Sequence, residues 1–305
     1  MPDSELIAIT GAFGYSGRHI ARRLLAMDKR VITLTGHPRA DSEFGNRIPA
    51  YPLDFSKPTE LTESLKGAKT LVNTYWIRFA FGDMTFDKAV ENSKRLINAA
   101  KAAGVERIVH VSITNPSEIS PLPYYSGKAR VEKAITESGL SYAILRPNVL
   151  FGDEGILINN IAWMLRHFPI FTVPGSGEYQ IQPIYVGDLA ELVVRNIEPG
   201  ENVVFDAAGP EIYTFSDLVR LIANKTGRSA RLIHLPPYVA LFMSRIVGKF
   251  LGDVVLTRDE VDGLHMNLLV SSQPPTGWTK LSEWLENNSD WLGTRYMSEL
   301  KKHYR

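Results

Sequence analysis

The sequence predicts an α/β fold, a doubly wound parallel sheet with a smaller, mainly helical C-terminal lobe. Two features carry that expectation. Short apolar runs alternate with segments of helical period through the first half of the chain, and the first run ends in a glycine-rich turn that opens a helix. Leu6 to Thr10 reads as the first strand, followed by Gly11 and then by Gly17, Ile20, Leu24 and Met27 at helical spacing. Val31 to Thr35 and Leu71 to Tyr75 read as further strands, Phe86 to Gly104 as a helix burying Val90, Ile97 and Ala100, and Ile108 to Ile113 as another strand. A helix over Tyr125 to Ser138 stops at Gly139, and the strand Tyr142 to Leu145 is stopped by Pro147. Strands alternating with helices in this way form a parallel sheet covered on both faces.

After Phe151-Gly152 the rhythm changes. Ile156 to His167 reads as a helix, and Pro174-Gly175-Ser176-Gly177 as a turn between two short strand-like segments. Leu189 to Asn196 and Val203 to Asp206 supply one more helix and strand for the main sheet. From Thr214 onward the pattern is mostly helical, broken by the strand-like Arg231 to Leu235 and by Pro236-Pro237. The expected division is therefore a doubly wound domain over 1–152, completed by about 183–208, with 153–182 and 209–305 forming a smaller lobe for a substrate or a partner. Val239 to Leu251 is apolar but is interrupted by Arg245 and Lys249. It falls short of the roughly 20 residues of a membrane span, so it reads as a lobe helix, with surface or partner contact as the lesser reading.

Composition narrows the chemistry. The 305 residues include no cysteine, which excludes thiolate catalysis and Cys-bound zinc or iron–sulfur clusters. Lys and Arg number 34 against 33 Asp and Glu, a balance that offers no broad field for nucleic acid. The seven histidines show neither His-x-His nor His-Glu-x-x-His spacing, so no metal site is expected and His110 reads as a strand residue. Met1-Pro2-Asp3-Ser4-Glu5 lacks the basic flank of a secretory signal, and the expected location is cytoplasmic.

The strongest motif is Thr10-Gly11-Ala12-Phe13-Gly14-Tyr15-Ser16-Gly17-Arg18, lying between a predicted strand and a predicted helix. Glycines permit a tight turn and close backbone approach, and the helix N-terminus then presents N–H groups and a positive dipole end to a pyrophosphate. Cofactor preference is read at the end of the second strand, where an NAD site usually carries Asp or Glu for the ribose hydroxyls. Here the chain runs Leu34-Thr35-Gly36-His37-Pro38-Arg39, with no carboxylate before Asp41. Arg39, with Thr35, His37 and Arg18, suits a 2′-phosphate instead, which favours NADP, with NAD as the alternative.

With its Gly-x2-Gly-x2-Gly spacing, the turn resembles that of extended or atypical short-chain dehydrogenase/reductases, the NAD(P)-binding Rossmann-fold proteins that include NAD-dependent epimerases and dehydratases. Further segments resemble that family in its own order, closely to about Ala208 and more loosely beyond: Tyr51 to Phe55, Asn73 to Trp76, Ser112-Ile113-Thr114, Tyr124 with Lys128, Arg146 to Gly152, and Gln182 to Asp188. The resemblance implies adenine-side roles for Asp54 and Phe55. It places Asn73, Thr74 and Tyr75 where the fourth strand opens on the cofactor, and Pro147 and Val149 beneath the nicotinamide. It also implies hydride transfer with Tyr124 as acid/base, Lys128 as its tuner and Thr114 or Ser112 as the hydroxyl that holds the substrate oxygen. Independently of the family, a Lys four residues after a Tyr shares its helix face and lowers a phenol pKa of about 10 toward a useful range. Tyr125 is the rival for the acid/base, disfavoured by its spacing to Lys128.

Tyr75, Trp76, Arg78 and Phe79 follow the fourth strand and either line a substrate pocket or pack in the core. The loop from Thr114 to Tyr124 contains Pro116, Pro121 and Pro123 and is shorter than in sugar-nucleotide epimerases. The leading expectation is hydride transfer between NADP(H) and a small carbonyl or alcohol. A non-catalytic NADP(H)-binding regulator or assembly factor, docking a protein through its C-terminal lobe, is the alternative, and a nucleotide-sugar epimerase or dehydratase comes third.

Overall fold

Five apolar runs of five to seven residues line up as a sheet because their flanking helices bury both of its faces. The computed structural model describes residues 5–37, 42–229 and 231–303; Arg39 of the expected 2′-phosphate site lies outside them, as do Pro38 and Asp41. The chain forms two compact units, 1–147 with 186–206, and 148–185 with 207–305.

The first unit contains β1 (Leu6–Thr10), α1 (Tyr15–Ala26), β2 (Arg30–Thr35), β3 (Ala50–Pro52), α2 (Pro58–Leu65), β4 (Ala68–Asn73), α3 (Phe86–Ala102), β5 (Arg107–Val111), α4 (Pro123–Thr136), β6 (Ser141–Pro147) and α6 (Val186–Arg195). With β11 (Val203–Ala207) they make a seven-stranded sheet in the order β11-β6-β5-β4-β1-β2-β3. Every pairing from β3 across to β6 is parallel. The chain builds outward from β1 in one direction and from β4 in the other, so the strand order reverses between them. In such sheets the ligand crevice lies beyond the carboxyl ends of the strands at this reversal.

One face of the sheet is covered by α2, α3 and α4, where Leu34, Leu61, Leu71, Leu96, Ile108 and Val131 share a buried cluster. On α1 and α6 the buried residues, Ile20 and Leu24 on one and Leu189 and Val193 on the other, recur at helical spacing, and the two helices pack together. The segment after α6 is tied down by Arg107, which is buried with no carboxylate partner among the described residues. Its guanidinium donates to the carbonyls of Asn196 (2.7 Å), Gly200 and Glu201 (3.3 Å each) and to the Ser141 hydroxyl.

The second unit holds β7 (Leu150–Phe151), α5 (Ile156–His167), β8 (Ile170–Pro174), β9 (Gln180–Ile181), β10 (Ile184–Tyr185), β12 (Tyr213–Thr214), α7 (Phe215–Lys225), β13 (Arg231–Leu235), α8 (Pro237–Leu251), α9 (Arg258–His265) and α10 (Leu281–Asn288). Besides its helices it carries three two-stranded sheets: β7 with β10, β9 with β12, and β8 with β13. Ile161, Leu165, Phe171, Leu218, Ile222 and Leu285 lie in its core. Two buried amides, Asn159 and Asn160, act as backbone clamps: Asn160 exchanges two hydrogen bonds with Met297 (2.9 Å each), and Asn159 accepts from Gly293 N (3.0 Å) and donates to Arg295 O (2.8 Å).

Candidate nucleotide site

The turn after β1 is built by backbone demands that only glycine meets. Gly11 sits at φ +69°, in the left-handed region, and its N–H donates to Leu34 O at 2.9 Å. Gly14 N–H donates back to Gly11 O, also at 2.9 Å, closing the turn immediately before α1. A Cβ on Gly17 would lie 2.2 Å from Gly11 O, so the first turn of α1 rests directly on the loop. No side chain caps α1 and no acidic residue occupies its first turn, which leaves the positive end of the helix dipole for an anion.

Thr33 holds this loop from the neighbouring strand, a role the sequence did not advertise. Its buried hydroxyl donates to Ile9 O and accepts from Ala12 N, both at 3.0 Å. Thr33→Val keeps the shape and strands the Ala12 amide; a loss of about 1–3 kcal/mol in urea unfolding is expected, with a larger loss if the loop rearranges. An unchanged midpoint would show that the loop is held without Thr33.

At the strand-order reversal, Thr10 and Thr74 are cross-linked. Thr74 N–H donates to Thr10 Oγ1 (2.7 Å), Thr74 Oγ1 donates to Thr10 O (2.5 Å), and Thr10 Oγ1 donates to Asn73 Oδ1 (3.3 Å). Asn73 Nδ2 is buried there with no hydrogen-bond partner among the described residues. The Phe55 and Tyr75 rings lie 4.8 Å apart, and the Tyr75 hydroxyl accepts from Asn92 at 3.0 Å. Asp54 is held below the usual carboxylate range by the Ser56 hydroxyl and amide, which donate to it at 2.6 and 2.9 Å.

The remaining expected cofactor residues make the following contacts. Phe13 is buried with its ring stacked on Phe44 at 6.4 Å, so it contributes packing. Arg18 reaches Phe13 O at 3.2 Å and lies 3.5 Å from Glu43, onto which Arg22 also forks. Tyr15 lies edge-on to His19, Ser16 follows it in the first turn of α1, and the Thr35 hydroxyl accepts from His37 N at 3.0 Å. Pro147 O accepts from Thr114 N at 3.1 Å, whereas Val149 belongs to the second unit and accepts from Ile184 N at 2.9 Å.

The catalytic candidates sit on and around α4. Lys128 is only 2% exposed; its ammonium donates to Val111 O at 2.8 Å and stands 4.9 Å over the Trp76 ring. Burial lowers its pKa to about 7, partly opposed by Glu132. His110, fully buried at the level of Asn73 in the adjacent strand, is kept neutral by burial and then by Lys128. Tyr124, one turn before Lys128, is half-buried, edge-on to Trp76 (6.0 Å) and Phe86 (5.9 Å). Tyr125 is buried in the core at 7% exposure. The two candidate substrate hydroxyls point inward: Thr114 donates to Arg146 O at 2.8 Å and Ser112 to the Glu132 carboxylate, which also pairs with Arg146.

Trp76 is the residue whose place the sequence left open, and it lies over the Lys128 ammonium. It reaches there because Gly127 has no side chain: a Cβ would come within 2.9 Å of the indole. A glycine inside a helix costs about 1 kcal/mol relative to alanine, and that cost is the sequence signal for a close approach.

Residues 11–160 match the family model described as NAD(P)H-binding. The chain carries an NAD(P)-binding domain. Its fold is that of the NADPH-dependent quinone oxidoreductase of Escherichia coli solved with NADPH, at TM-score 0.74 and 23% identity over 92% of this chain and 99% of that one. The Thermus thermophilus UDP-glucose 4-epimerase solved with NAD superposes at TM-score 0.64, with 18% identity over 88% and 100% of the two chains. In sequence, the chain is 26% identical to the rat mitochondrial NADH dehydrogenase 1 alpha subcomplex subunit 9, over 88% of this chain and 73% of that protein. It is also 26% identical to a photosystem II assembly factor of Cyanophora paradoxa, over 75% and 71% of the two chains. An E. coli protein named quinone oxidoreductase 2 is 26% identical over 73% of this chain and 75% of its own. This chain is thus similar both to proteins named for a reaction and to proteins named for an assembly.

Proposed function

We propose that the protein is an NADP(H)-dependent oxidoreductase that interconverts a small carbonyl compound and its alcohol. The observation that carries this reading is Lys128, buried one helical turn from Tyr124 with its pKa lowered to about 7. The residues present fit a dinucleotide: Gly17 leaves no room for a Cβ against the Gly11 loop, α1 begins uncapped, and Asn73 offers a buried amide with no hydrogen-bond partner among the described residues. When bound, the nicotinamide supplies or accepts hydride at carbon. Tyr124 gives the substrate oxygen its proton during reduction, and the nearby Lys128 ammonium favours the phenolate left behind. The carboxylate-free end of β2, together with Arg39, supports NADP over NAD.

Thermal unfolding with NADPH and NADH in parallel tests cofactor choice: saturation at about a hundred times Kd stabilises by roughly 2.7 kcal/mol, and the larger shift is expected with NADPH. Across a panel of carbonyls and quinones, Tyr124→Phe should lower kcat by about 100-fold or more while preserving that shift. Turnover unaffected by Tyr124→Phe would remove the residue from the mechanism. A second reading is a non-catalytic NADP(H)-binding subunit or assembly factor, favoured by the inward commitment of both Ser112 and Thr114. It predicts the same NADPH shift with no oxidation of the nucleotide on any substrate.

A further inference from the structure

Among the described residues, several of the exposed large apolar side chains share a single helix face. Of the fifteen residues of α8, only Ala240 and Gly248 are buried. Tyr238, Phe242, Ile246 and Phe250 recur every fourth residue and so form one stripe, with Met243 beside it. Tyr238 is 74%, Phe242 63% and Phe250 87% exposed, unlike the scattered single apolar residues of an ordinary surface. The opposite side of α8 is fixed: it packs on β8, and a Cβ on Gly248 would meet Asp253 O at 2.5 Å. The stripe is thus presented by a helix that is held in place.

Charge identifies what covers it. From Leu218 to Gly252 there is no Asp or Glu, while Lys and Arg occur six times. Arg245 and Lys249, exposed and one turn apart, border the aromatic stripe on the Tyr238 side. The first acid after this stretch, Asp253, is turned inward, accepting from Glu299 N and Leu300 N at 3.0 Å and from the Tyr296 hydroxyl at 2.9 Å. No helix among the described residues is long and apolar enough to cross a membrane.

We infer that α8 docks the protein on an anionic lipid bilayer, laying its aromatic stripe into the headgroup boundary while Arg245 and Lys249 reach the phosphates. A large apolar face bordered by basic residues, in a helix too short to span, is the physical form of an interfacial anchor. The electrostatic part is screened by salt, whereas the apolar part depends on insertion.

Flotation of the full chain with vesicles of phosphatidylcholine alone, and with about a third phosphatidylserine, tests the inference. Binding is expected to the anionic vesicles and to fall as salt is raised. The double variants Phe242→Ser/Phe250→Ser and Arg245→Glu/Lys249→Glu should each weaken it about tenfold or more. Both alter exposed side chains, so an unchanged circular dichroism spectrum and melting midpoint will show that the fold is intact. Equal binding to neutral and anionic vesicles, or variants that bind like the parent, would overturn the assignment. So would a lipid-free dimer dissociated by the same variants, which would assign the stripe to a second copy.

Discussion

Gly17→Ala is expected to be among the most damaging single-methyl changes in this chain. The added Cβ would lie 2.2 Å from Gly11 O, 2.8 Å from Gly11 C and 3.1 Å from Ala12 Cα, all of them backbone atoms. No rotamer relieves such a contact, so α1 must lift from the loop or the loop must leave its hydrogen bonds to Leu34 and Thr33. Overpacking of this kind costs about 1–3 kcal/mol, and here the displaced atoms are also those proposed to receive the pyrophosphate. The expected result is a lower melting midpoint together with a weakening of NADPH binding by about 100-fold, read from the loss of the NADPH-induced thermal shift. Gly14→Ala brings its Cβ only to 3.2 Å from Gly11 O, and Gly36→Ala has nothing within 4 Å. The order of damage should therefore be Gly17, then Gly14, then Gly36, and a Gly17→Ala protein that melts and binds like the parent would refute the cradle.

The glycine turn was legible because its requirements are local: a positive φ, a tight reversal and a close approach are each written as glycine at a fixed offset from an apolar run. The strands β1, β2 and β5 and the helices α3 and α5 were legible for the same reason, their period being a property of neighbouring residues. Contacts made across the sheet were not. Nothing near Thr33 in the sequence announces that it holds Ala12, twenty-one residues back, and nothing near Arg18 announces Glu43. The Tyr-x3-Lys spacing correctly placed both residues on α4 but could not show that Trp76, about fifty positions earlier, covers the ammonium. Nor could it show that Ser112 and Thr114, polar residues just past β5, spend their protons on Glu132 and Arg146 O. A polar residue at a strand end faces either the crevice or the protein, and one residue of register decides which. The α8 stripe was visible as an apolar run, but its exposure depends on which face packs on β8.

Replacing Lys128 by methionine should separate stability from function. An ammonium buried with one carbonyl acceptor and one aromatic face is costly, and an unbranched apolar side chain of similar length fills the same volume. In the unfolded chain the amine holds its proton to about its ordinary 10.5, in the folded protein only to about 7. Between those values the unfolded state binds more protons, so this residue makes wild-type stability rise with pH from about 7 toward 10.5, and below 7 its burial cost is felt in full. Lys128→Met removes that dependence. The variant is expected to be more stable than the parent by about 2 kcal/mol near pH 6, with the gap narrowing as pH rises toward 10. His110 adds a separate effect: its depressed pKa means stability is lost as pH falls below the ordinary 6.5, and removing Lys128 relieves part of that depression, widening the gap on the acid side. Turnover should meanwhile fall by about 100-fold or more, because the phenolate proposed for Tyr124 loses the cation proposed to favour it. Urea unfolding at several pH values, paired with NADPH oxidation, checks both halves. A variant less stable than the parent at every pH would mean that the Val111 and Trp76 contacts outweigh burial of the charge, and that Lys128 is there to hold α4 against β5.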